Sequence, residues 1–232
     1  MSGLQKGMLF GFVAAFLAMA GGHANAAACR ADPAPEVDWS ACVKKNLMLS
    51  GSDFTGANFR DADLSFTDMR DTTLATADLE KATLIRAWFS GARLDKANFS
   101  RVEAYRSTFE NVSAQGTSFA SAEFQRAIFK GADLQNANFE KADLSRVDFD
   151  EAILAGTTFA YANLARADLS KAKVQGTVGF GKAFMLLTRI EGLDLSTATG
   201  LEQAQIDVAC GDADTKLPNG LTAPAGWPCA KD

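Results

Sequence analysis

Between Leu47 and Leu195 a large apolar residue returns every five positions. These centres run through Phe54, Phe59, Leu64, Met69, Leu74 and Leu79, and on to Phe149, Leu154, Phe159, Leu164, Leu169 and Val174. Two positions before each centre stands a small residue, nearly always Ala, Thr, Ser or Val. A period of five matches neither a helix nor a plain strand, so it predicts a solenoid. Two inward side chains per pentad suit one side of a coil that turns a corner after each side. Four sides then close a square of about twenty residues.

Sorting the centres by twenty supports the square. One side collects Phe59, Leu79, Phe99, Phe119, Phe139 and Phe159, and another Met69, Phe89, Phe109, Phe129, Phe149 and Leu169. The other two sides are mainly Leu, with Ala104 and Ala114 as small exceptions. Ala114 shares its coil with Phe119, Phe124 and Phe129, a volume trade expected of a close-packed interior. After Val174 the phase slips by one residue and resumes at Phe180, Met185, Ile190 and Leu195. The slip predicts a one-residue bulge at Thr177–Gly181, where Gly tolerates unusual backbone.

The triplets Ala57-Asn58-Phe59, Ala62-Asp63-Leu64, Ala132-Asp133-Leu134 and Ala167-Asp168-Leu169 resemble the units of pentapeptide repeat proteins. The resemblance covers roughly two-thirds of the chain. It implies an all-β fold, a right-handed quadrilateral parallel β-helix of about seven coils. With rungs about 4.8 Å apart, such a shaft is roughly 35 Å long.

The ends divide the chain further. Lys6, the apolar run Met8–Ala20 and the small-x-small triplet Ala24-Asn25-Ala26 make residues 1–26 a secretory signal peptide. The apolar run is short for a membrane span, so no integral span is expected. Residues 27–46 and 198–232 are expected to cap the repeat region, 47–197. Cys29 and Cys42 bracket the first cap, and Cys210 and Cys229 the second. Cross-pairing would have to span the shaft, while a disulfide needs Cα atoms within about 7 Å. The expected pairs are therefore Cys29–Cys42 and Cys210–Cys229, each contributing on the order of 3 kcal/mol. Thr199-Gly200-Leu201-Glu202 fits a capping box, opening a short helix with Leu201, Ala204 and Val208 on one side. Trp39 is expected to close the other end. Capped ends favour a monomer, because they cover edges that would otherwise pair with other chains.

Much catalytic chemistry is missing. The only histidine, His23, lies in the expected signal peptide, so a processed chain has no imidazole for base or metal work. Paired cysteines leave no thiol nucleophile, and no phosphate-cradling loop or metal set is evident, so no cofactor is expected. Gly56, Gly116, Gly156 and Gly176 line up, but at one corner, where Gly relieves a tight turn. Asp and Asn before the centres recur in every coil, which reads as structure rather than as an acid–base pair.

The outer surface carries one unusual column: Arg86, Arg106, Arg126, Arg146 and Arg166, spaced by twenty. These are five of the chain's eleven arginines. Unit charges at about 5 Å repel by roughly 0.8 kcal/mol even in bulk water, so the column calls for carboxylates or a bound anion. Asp148, Asp168, Glu103, Glu123 and Asp143 stand on the same side and could supply the first. Trp88, Tyr105, Ile85 and Ile128 crowd beside the first three arginines, which points instead to a binding surface.

The net charge of −5 becomes −6 once Lys6 leaves, which disfavours nucleic acid as a partner. The reading that results is a non-catalytic binding or structural scaffold of the bacterial periplasm or exterior. Its arginine column meets an unknown protein or an anionic envelope component. One alternative is a carboxylate-based enzyme acting on a polysaccharide. The resemblance adds another, a gyrase-binding DNA mimic like the quinolone-resistance members, which export and disulfides disfavour.

Overall fold

The computed structural model describes residues 28–229. The signal-peptide expectation for residues 1–26 lies outside them. The described chain is a four-sided coil joined only by parallel bridges. One ladder climbs through Asp38, Asn58, Asp78, Asn98, Ser118, Asn138, Thr158, Gly179 and Thr199. The second, third and fourth ladders start at Val43, Met48 and Asp53, five residues apart. Each side contributes a single bridged residue, flanked by an inward small residue and an inward centre.

The corner is built from local bonds. Ala62 N–H donates to Phe59 O at 3.0 Å, and Asp61 between them has φ 56°. A positive φ at the third residue of a four-residue turn is the mark of a type II turn. The Asp or Asn before the centre braces that turn. Asn58 Oδ1 accepts the N–H of Arg60 at 3.2 Å, and Asp63 Oδ1 that of Ser65 at 3.1 Å. These carboxylates and amides therefore recur in every coil because the backbone needs an acceptor there.

The interior is mostly apolar and rich in aromatic rings. Rings of the first ladder's side stack along the axis, with Phe119 and Phe139 4.7 Å apart at 14°. Those of the third ladder's side do the same, as Phe109 and Phe129 show at 4.8 Å and 6°. The two files meet edge-on across the square; Phe129 and Phe139 lie at 87°. Both geometries suit the aromatic quadrupole.

The first ladder runs through nine rungs, eight coil intervals against the seven expected. The extra coil lies in 27–46, where the ladders already begin at Asp38 and Val43. Trp39 fills a centre position there, its Nε1–H donating to Ala31 O at 3.2 Å and its ring 5.4 Å from that of Phe54. Lys44 takes the next centre and lays its ammonium 3.5 Å over Trp39.

The bulge overlaps the start of the expected Thr177–Gly181 and begins a little before it. Ile153 still pairs with Lys173 twenty residues on, and Thr158 pairs with Gly179 twenty-one on. The extra residue sits between them at the corner of Gly176, φ 84°, and Gly181 is an ordinary turn position. The C-terminal helix also differs. Thr199 is bridged to Gly179, so it cannot cap. The helix spans Gln203–Ile206 with Glu202 as N-cap, and Gln205 Oε1 accepts the Glu202 N–H at 2.8 Å. A single turn has no apolar stripe: Gln205 and Ile206 are buried, while Ala204 and Val208 face outward.

Both expected disulfides are formed, Cys29–Cys42 with Cα atoms 5.6 Å apart and Cys210–Cys229 with 5.4 Å. Trp227 Nε1–H donates to Ala209 O at 2.8 Å and ties the last segment to the shaft. No helix of the described residues is long and apolar enough to cross a membrane.

Candidate functional site

The arginine column occupies the corner between the second and third ladders. Each member is the left-handed residue of its turn: φ is 54° at Arg86, 55° at Arg106, 61° at Arg126, 58° at Arg146 and 59° at Arg166. Side chains other than Gly, Asn and Asp pay roughly 1 kcal/mol or more for that backbone. In return the position lies at the outermost point of the coil, and all five arginines are exposed. Stacking by parallel bridges sets their Cα atoms about 4.8 Å apart. The corner diagonally opposite carries Gly56, Gly116, Gly156 and Gly176, φ 66° to 84°, as a tight turn prefers.

Three of the five carboxylates expected to neutralise the column, Asp143, Asp148 and Asp168, have partners elsewhere, while Glu103 and Glu123 bind neither the column nor another side chain among the described residues. Asp168 pairs with Arg189 at 3.1 Å and accepts from Ser170. Asp148 accepts the N–H of Asp150 at 2.8 Å. Asp143 accepts from Gln125 Nε2 at 3.0 Å and Asn163 Nδ2 at 3.2 Å. Among the described residues, no carboxylate forms an ion pair with Arg86, Arg106, Arg126 or Arg146; Arg166 is set apart by an interaction of its own. Four arginines outside the column do form ion pairs, while the exposed Arg30 and Arg93 form none among the described residues. Arg60 reaches Asp78 at 2.8 Å, Arg70 grips Asp68 at 2.6 Å and Arg101 reaches Glu80 at 3.1 Å. At the adjoining corner Lys141 pairs with Glu140 at 2.9 Å and Lys182 with Glu202, while Lys81 has no ion pair among the described residues.

Two arginines lie over rings. Arg106 stands 5.2 Å above Tyr105, and Arg86 5.9 Å above Phe66. Trp88, 45% exposed, lies beside the ridge with no cation over its ring among the described residues. Ile85 and Ile128 are half-buried alongside. Phe66, 40% exposed, escaped the sequence reading although its spacing places it in the arginine column, twenty residues before Arg86.

Other chemistry is sparse. Asp68 is buried and held below the usual carboxylate range, chiefly by its hydrogen bonds from Arg70, as a structural ion pair requires. Lys44 is pushed down by burial in the first coil. Among the described residues no group of His, Cys, Asp and Glu is placed to hold a metal ion.

This coil is the work of a recognisable family. Residues 82–159 match the profile of the pentapeptide repeat region, and residues 45–75 and 142–178 that of the pentapeptide repeats, eight copies. The chain belongs to the pentapeptide repeat proteins, whose members fold as right-handed quadrilateral β-helices and are generally scaffolds or binding proteins rather than enzymes. Among solved structures it is similar to QnrB1, a plasmid-mediated fluoroquinolone resistance protein, at 21% identity and TM-score 0.49, over 76% of this chain and 89% of that one. It is also similar to HetL, involved in heterocyst differentiation regulation in the cyanobacterium Nostoc sp. strain PCC 7120, at 21% identity and TM-score 0.35, over 71% and 89%. A third is a protein of the Arabidopsis thaliana thylakoid lumen, at 22% identity and TM-score 0.24, over 53% and 69%. Comparison with curated proteins gives no match.

Proposed function

We propose that this chain is a non-catalytic binding scaffold of an oxidising compartment, the bacterial periplasm or exterior, whose arginine corner docks an anionic partner. The observation that carries the reading is the unpaired state of Arg86, Arg106, Arg126 and Arg146 beside the paired Arg60, Arg70, Arg101 and Arg189. A rigid coil holds these charges at fixed spacing, so a partner meets them at little ordering cost. Trp88 and Tyr105 add contact area beside the charges. Two disulfides support an oxidising compartment. The capped ends support a monomer, and the net charge of −5 argues against nucleic acid. Use of the Asp and Asn side chains as turn acceptors argues against carboxylate catalysis.

The test is retention of oxidised protein on immobilised envelope fractions at rising salt, beside a variant with Arg106, Arg126 and Arg146 changed to Gln. Wild type should be retained and released by salt, and the variant should pass through with an unchanged melting temperature. Equal behaviour of the two would sink the reading.

A further inference from the structure

Among the described residues nine large apolar side chains are exposed, and eight of them border the arginine corner. At its N-terminal end stand Val43 and Met48, each 75% exposed, followed by Phe66, Trp88 and Tyr105. At its C-terminal end stand Phe184, Leu186 and Val208, the last stacked in place by Leu187 N–H donating to Val208 O at 2.7 Å. Only Tyr161 lies elsewhere, at the neighbouring corner. The edge thus carries apolar groups at both ends and, between them, arginines interspersed with Trp88 and Tyr105.

We propose that this edge rests on an anionic lipid surface, the arginines meeting headgroup phosphates and the apolar groups at both ends entering the interface. The inference builds on the docking role of the arginine corner and names the partner's physical form. Guanidinium groups match phosphate oxygens in geometry and charge. Trp and Tyr favour the boundary between headgroups and acyl chains, where one end is wet and the other is not. Binding of this kind draws on apolar area and anionic charge together, which is the composition of the edge.

Shape separates this partner from others. The corner is convex, so a helix or a sugar chain laid along it touches little more than a line. A fluid headgroup layer deforms around an edge and meets both adjoining faces. An extended peptide repeats on one side about every 6.7 Å, out of step with rungs about 4.8 Å apart. A second copy packed edge to edge would oppose arginine with arginine. Glu103 and Glu123 belong to the second ladder, as Val43 and Phe184 do, and stand exposed beside the corner, where they offset part of its positive charge.

The experiment is flotation of the oxidised protein, as exported and with its N terminus read by mass spectrometry. The vesicles are phosphatidylcholine alone or equal parts phosphatidylcholine and phosphatidylglycerol. Wild type should float only with the anionic vesicles and detach as salt rises. Arg106→Gln with Arg126→Gln should weaken binding roughly tenfold or more. Met48→Ser with Phe66→Gly should weaken it at unchanged salt dependence, and brominated acyl chains should quench the emission that Trp88→Phe removes. Arg-dependent binding to soluble polygalacturonate or polyglutamate without flotation overturns the lipid inference and leaves the docking reading standing. No Arg-dependent binding to vesicle or polymer overturns both.

Discussion

Asn111 and Gly131 occupy one corner a coil apart, and the Asn111 carboxamide lies where a Cβ on Gly131 would have to go. Both residues have left-handed backbone, φ 54° and 66°. The same nesting joins Asp71 to Gly91 and Asn136 to Gly156. Gly131→Ala is therefore expected to lose roughly 1–3 kcal/mol. Gly51→Ala, with open space around it, should lose only about 1 kcal/mol. Urea unfolding of both, with Asn111→Ala added to the first, should show that Asn111→Ala recovers part of the difference.

Arginine at a left-handed corner costs stability, so Arg126→Gly should make the protein more stable, by about 1 kcal/mol. It should also weaken binding to the anionic partner. Chemical unfolding and flotation on the same preparation would read the two effects, and a destabilised Arg126→Gly would contradict the strain argument.

Phe119 stacks on Phe139 and meets Phe124 and Phe129 edge-on at 5.4 and 5.7 Å. Truncation to Ala leaves a void that the bonded coils above and below keep from collapsing. The expected loss is about 3–5 kcal/mol, measurable as a fall in unfolding midpoint.

Acid should destabilise the fold in a defined window. Asp194 is pushed down to about 2 by the Ser196 hydroxyl, then by Lys216. Arg70 holds Asp68 below its ordinary range. Carboxylates with lowered folded pKa bind fewer protons folded than unfolded, so their contribution is complete above about pH 4–5 and lost as pH falls toward 2. The melting temperature should be flat from neutrality to about pH 5 and then drop. Asp194→Asn, which cannot titrate, should shrink that drop.

Each disulfide holds an end, and a repeat protein unfolds by neighbour contacts, from whichever end is loose. Cys210→Ser with Cys229→Ser should cost about 3 kcal/mol at the terminal coil, given a separation of 19 residues. Hydrogen exchange should quicken from Ile190 to Ala209 and remain unchanged near Phe109. Uniform quickening along the shaft would mean that the coil unfolds as one unit.

The shaft was legible because its signal repeats: one misread pentad cannot shift the phase of its neighbours. The disulfides followed from the length of the shaft that separates them. The first coil was hidden because Trp39 and Lys44 fill its centres, and a terminal coil can accept a lysine that lays its stem on an indole. The helical cap was misread because four residues hold too little periodicity, and Thr199 looked free when it was already a rung. The arginine column was visible, but its backbone was not, although glycines two positions after other centres, such as Gly56 and Gly116, gave the clue. Whether its carboxylate neighbours would reach it depended on competing acceptor duties that spacing does not reveal.

The ladder makes length an independent variable. Twenty residues add one rung, and one rung adds one residue to every corner without moving the others. Copying a coil between Arg106 and Arg146 would extend the charged edge by a single guanidinium. Deleting one would shorten it by the same step, with both seals intact. Reach along a surface can therefore be tuned in increments by duplication alone, so this architecture behaves as a ruler whose graduations are coils.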